Sequence, residues 1–148
     1  MPMTLQNLLN TGQLAEHETD AVQVRQMLDS VRRSIDDART ETISAETRLA
    51  AADRAIMQTS MVALWANGYR PVKSSPGHHM IMIQSLPISI GLETDRMLLL
   101  DTFRVKRNAI DYSGEAVDAV SVESCIAAAE QLMKRLCRWL KGHRPELI

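Results

Sequence analysis

Apolar residues recur three and four positions apart through most of this chain, and that period lays them along one side of a helix. Between residues 20 and 40 the stripe is Val24, Leu28, Val31, Ile35 and Ala38, while Arg25, Arg32 and Asp36 fall on the opposite face. This predicts a helix of about 20 residues, roughly 30 Å long, with Thr19 as its N-cap. A second stripe, Leu49, Ala52, Ile56, Met57, Met61 and Leu64, follows the capping residue Ser44 and stops at Gly68 and Pro71. A third opens at Thr94 and Asp95 and runs about 18 residues. Leu99, Phe103 and Ile110 form its expected buried line, with Leu98, Val105 and Ala109 beside it. The fourth, from about Ser121 to Lys141, buries Val122, Ile126, Ala129, Leu132, Met133, Leu136 and Leu140 before Gly142 and Pro145 end it.

The shorter pieces are read from turn chemistry. A short helix from Thr4 to Asn10 stops near Gly12. The segment YRPVKSSPGHH, residues 69–79, is rich in Pro, Gly and Ser and reads as the main surface loop. HMIMIQSL then resumes as a short helix, ended by the restriction that Pro87 places on Leu86. Its MIMI alternation would suit a strand, but the sequence offers no evident partner strand. Four long helices with short connections predict an all-α antiparallel bundle of four to five helices, one domain over residues 1–148.

Composition adds limits. With 148 residues, 45% of them apolar, the chain is long enough to bury a core. There is no run of about 18 apolar residues and no cleavable leader pattern, so the expectation is a soluble, cytoplasmic protein. Cys125 and Cys137 lie several turns apart on one predicted helix and cannot bond to each other, so both are expected reduced. A formal net charge of −1 excludes a protein that coats nucleic acid non-specifically. The charge is uneven, however. Residues 1–60 carry six Lys and Arg against nine Asp and Glu, and residues 103–144 carry eight against five, so an anionic ligand would prefer the C-terminal half.

The densest chemistry lies in RVKRNAIDYSG, residues 104–114. Spaced by four, Arg104, Asn108 and Tyr112 share one helix line, and Arg107 sits about 100° away from Asn108. Arg can fork onto phosphate, Asn can donate and accept, and Tyr can stack on a base, so the residue types suit RNA. The same line is also what the solvated face of an amphipathic helix looks like, and both readings stand at this point. Arg70 is expected to face the same cleft as Arg104. Trp65 is expected in the core with its N–H bonded locally, and Trp139 in the core or at a dimer contact. Lys134, Arg135, Arg138 and Lys141 read first as cations favoured at a helix C-terminus and second as a docking patch. No metal site is expected, because His17, His78, His79, Cys125 and Cys137 contain no pair at usual ligand spacing. No cofactor is implied, since glycine-rich phosphate loops and nucleophile elbows are both missing.

The order of elements and the words ALWANGYRP, GHH and LLLDTFRVKRNAIDYSG resemble the HEPN superfamily of small helical proteins, over most of the chain. The likeness is greatest to a subgroup with R-x-x-R-N-x-x-x-Y on the helix after the GHH segment. Active members carry an Arg, a polar residue directly after it, and a His that follows the Arg after four to six intervening residues. Arg107 and Asn108 match the first half, while Tyr112 stands where the His belongs. The resemblance implies a two-fold homodimer whose paired helices compose an RNA- or nucleotide-binding cleft, and Arg104, Arg107, Asn108 and Tyr112 would line it. It also implies either a toxin-type, metal-independent endoribonuclease with an altered motif, or a non-catalytic module paired with an antitoxin or a nucleotidyltransferase that could modify Tyr112. Tyr titrates near ~10 and His near ~6.5, so Tyr112 is a poor replacement base. His78 or His79 is the candidate substitute, against the plainer reading that the two histidines only begin a helix.

Overall fold

The computed structural model describes residues 3–148, and its element order is built around α3, Ala45–Ala66. This helix is apolar nearly all round, with Ala52, Ala55, Ile56, Val62, Ala63 and Leu64 fully covered, so other helices must lie on several sides of it. α2, Ala21–Arg39, packs along it after a tight reversal, and α7, Ala119–His143, packs on another flank. α6, Thr94–Ser113, lies more lightly against α3 and α7. These four long helices form the expected all-α bundle.

The N-cap of α2 is Asp20, not Thr19: Asp20 accepts from the Gln23 backbone N–H at 2.8 Å, and Thr19 donates instead to the Gln23 side chain at 2.7 Å. Ser44 caps α3 as expected, through the Thr47 N–H. α7 begins two residues early because Asp118 caps it, and hydrogen bonds from Ser121 hold the Asp118 carboxyl down to about 2. Gly142 does not end α7, which runs on to His143. Arg144 then donates to the Ala66 carbonyl at 2.6 Å, tying the end of α7 to the end of α3.

The surface-loop expectation needs correction as well. Residues Tyr69–Pro71 form β2, antiparallel to β1 at Leu14–Glu16, with Leu14 opposite Pro71 and Glu16 opposite Tyr69. A strand of three residues leaves too short a pattern to be legible. α1 spans Leu5–Asn10, capped by Thr4. The HMIMIQSL segment is helical but breaks at Ser85 into α4, His78–Gln84, and α5, Leu86–Ser89. Pro87 lies in the first turn of α5, where its missing N–H has no helical partner to lose. Gly77 admits the chain to α4 at φ +72°, a left-handed conformation that residues with a Cβ rarely adopt.

On α6 the buried line differs from the expected one. Leu100 and Phe103 are buried and Ile110 is partly covered, while Leu98, Leu99, Val105 and Ala109 face solvent. Apolar residues occur on both sides of this helix, so periodicity placed Phe103 and Ile110 on the inner line but took Leu99 where Leu100 belongs. The true inner line, Leu100, Phe103, Arg107 and Ile110, carries an arginine.

Candidate functional site

Arg107 reaches the interior because a carboxylate waits for it. Asp53 on α3 is only 2% exposed, and Arg107 Nη1 lies 3.5 Å from its Oδ2. Asp53 falls at the phase of Leu49 and Ile56, four and three residues away, where the pattern demands an apolar side chain. That misplaced charge was the signal available in the sequence for a buried ion pair. Asp53 Oδ1 and Arg107 Nε have no hydrogen-bond partner among the described residues. Burial pushes the Asp53 carboxyl above its ordinary value, and the Arg107 charge and hydrogen bond pull it back only in part. The neighbouring Cys125 thiol is pushed up to about 12, chiefly by burial and then by Asp53. It is therefore an inert thiol at neutral pH.

Arg104, one turn from Arg107, donates through Nε to Asp101 at 2.7 Å, and both side chains are mostly covered. α4 packs against α6, and His79 on α4 feels the charges of both arginines. Partial loss of hydration, then the charges of His78, Arg107 and Arg104, push the His79 imidazole below its usual value. His78 lies against it, with ring centroids 4.1 Å apart. Helices from separate stretches thus deliver two guanidinium groups, one buried carboxylate and an imidazole to one patch. Such a patch can hold an anion through the arginines and take up a proton at His79.

The remaining expected residues are placed differently. Asn108 is exposed, and Tyr112 is 93% exposed beyond it, with no hydrogen bond joining either to Arg104. Arg70 lines a groove with His17 and Trp65 instead of facing Arg104. The Trp65 N–H has no hydrogen-bond partner among the described residues; its ring stacks on His17 at 5.3 Å. Trp139 stacks on His143 at 4.5 Å. In the basic cluster of α7, Arg135 is engaged by Glu93 and the Gly91 carbonyl, each at 3.0 Å. No group of three or more potential metal ligands occurs among the described residues, and no helix there is long and apolar enough to cross a membrane.

No family model, no curated protein and no solved structure matches this chain.

Proposed function

We propose that the α4–α6 patch binds RNA or a nucleotide through its phosphate, as a HEPN-like module acting as a metal-independent ribonuclease. The observation that carries this reading is the packing of α4, which bears His78 and His79, against the helix of Arg104 and Arg107. In this reading the arginines hold the scissile phosphate, and the neutral imidazole of His79 takes the proton of the ribose 2′-hydroxyl. The 2′ oxygen then attacks the adjacent phosphorus, closing a cyclic phosphate and expelling the 5′ oxygen, which takes its proton from water. His79 would supply what Tyr112 cannot. Tyr112 and Asn108, open to solvent on the next turns of α6, would receive bases and sugar edges of the bound strand.

A different observation favours a second reading. Arg107 and Arg104 are already held by Asp53 and Asp101, which suits a module that binds without cutting and serves a protein partner. One experiment separates the two: a labelled single-stranded RNA is incubated with the protein without metal, following anisotropy for binding and gels for cleavage. Arg104→Gln is expected to weaken binding about tenfold and to reduce the slope of log affinity against log salt by about one, with helicity unchanged. Binding without product selects the non-cutting module. No binding at low salt removes both readings.

Pairing of two copies belongs to the same proposal. Leu98 and Val105 stand exposed seven residues apart on α6, the spacing that faces a partner helix in coiled-coil packing. A second copy laid antiparallel along this seam would cover them and place two α4–α6 patches near one axis. Val105→Lys should convert a dimer to a monomer in sedimentation velocity. A wild-type monomer at high concentration would strike pairing from the proposal.

A further inference from the structure

We propose a second binding site in this chain, separate from the α4–α6 patch in its chemistry: the groove between α2, α3 and the β2–α4 connection takes a flat aromatic ligand that carries an anionic group. The groove has two connected parts of about 560 and 270 Å³ that share Met27, Met61, Pro71 and Lys73. That size suits a small molecule.

Three features define what fits. The first is an aromatic wall. His17 stacks on Trp65 with the rings 26° from parallel, and His17 Nε2 lies 3.0 Å from Gln23 Oε1, which fixes the imidazole against the indole. A planar ring on the ligand can extend this stack. The second is the lining of Met27, Met57, Met61 and Met82, four unbranched thioethers that adapt to an apolar outline and favour contact with aromatic rings. The third is charge. Arg70 and Lys73 lie on the groove without a salt-bridge partner among the described residues, and no Asp or Glu lines either part. A carboxylate, sulfonate or phosphate monoester would satisfy both cations.

Gln58 adds a polar requirement at the α4 end. Its amide nitrogen donates to Ser30 Oγ at 2.9 Å, and its buried Oε1 has no donor among the described residues. A hydroxyl or amino group on the ligand ring would supply one. His78 and His79 of α4 also line the smaller part, so the groove adjoins the α4–α6 patch there. Arg104 and Arg107 do not line it, so a ligand here does not depend on the arginines of the proposed RNA site.

The test follows the methyl carbons of the nine methionines by NMR while the folded protein is titrated with 1-naphthoate. The expected result is saturable movement of the Met27, Met57, Met61 and Met82 signals with Met97 and Met133 unmoved. Uncharged 1-naphthalenemethanol should bind at least about tenfold more weakly, and Arg70→Ala with Lys73→Ala should erase that difference while leaving the methyl dispersion intact. Decanoate, an anion without a ring, should also bind more weakly than naphthoate. No saturable shift at millimolar naphthoate overturns the site, and equal affinity for the neutral analogue overturns the anion requirement. Decanoate binding as tightly as naphthoate overturns the aromatic one.

Discussion

Arg107→Leu should lower stability by about 2–3 kcal/mol at neutral pH, the largest loss expected from any single surface-accessible side chain in this fold. Removing one partner of a buried ion pair typically costs about 3–5 kcal/mol, because the remaining charge is left without compensation. The lower figure is appropriate because Arg107 is itself 34% exposed and partly screened by water. Asp53, at 2% exposed, has no such relief. The loss should depend on pH in a definite direction. The folded carboxyl of Asp53 is raised above its unfolded value, so its favourable contribution is fully present below the ordinary carboxylate range and is lost as pH rises through the folded value. Without Arg107 that folded value rises further. The difference between wild type and variant in urea melts should therefore be small in acid, where Asp53 is protonated with or without Arg107, and should grow as pH rises through the folded value. A deficit independent of pH would mean that Asp53 is not the group left exposed to the change. The double variant Asp53→Asn with Arg107→Gln should recover part of the loss, since no buried charge remains.

This coupling bears on how the proposed activity is tested. Loss of cleavage in a simple Arg107 deletion would mix catalysis with unfolding, whereas His79 lies on the solvent side of α4 and can be changed without exposing a buried charge. His79→Gln should lower metal-independent RNA cleavage by about 10²- to 10⁴-fold, the usual range for loss of a general base, with binding nearly unchanged. The pH profile adds a readout that packing would not move. His78, Arg107 and Arg104 are the charges acting on His79, all of them lowering its value along with desolvation. Wild-type cleavage should then rise with pH and level off below the range of an ordinary histidine. In Arg104→Gln one cation is gone, so the rise should shift to higher pH. Cleavage that survives in His79→Gln with an unshifted profile would end the assignment of His79 as the base.

The helices themselves were legible because each needed only its own sequence. The stripes of α2 and α7 have one apolar phase that agrees with the buried residues, α3 is apolar on nearly every side, and Ser44 is a cap whose hydrogen bond stays within three residues. β2 was not legible, since a three-residue strand exists only through its pairing with β1, more than fifty residues earlier. α6 was misread at Leu99, taken for Leu100, for a related reason. With Leu98, Leu99 and Val105 on one side and Leu100, Phe103 and Ile110 on the other, its own sequence cannot say which side meets the bundle.

The amino-acid pattern alone therefore determined the all-α class, the four long helices and the presence of a polar, cationic stretch at residues 104–114. Which of those cations turns inward was decided by tertiary structure: Arg107 is held by Asp53, fifty-four positions away on another helix. The packing of α4, with His79, on the helix of Arg104 and Arg107, and the assembly of a groove from His17, Met27, Trp65 and Lys73, likewise depend on which helix faces pack together. Periodicity records the free energy of burying one face of a helix, and it carries no information about the partner against which that face is buried.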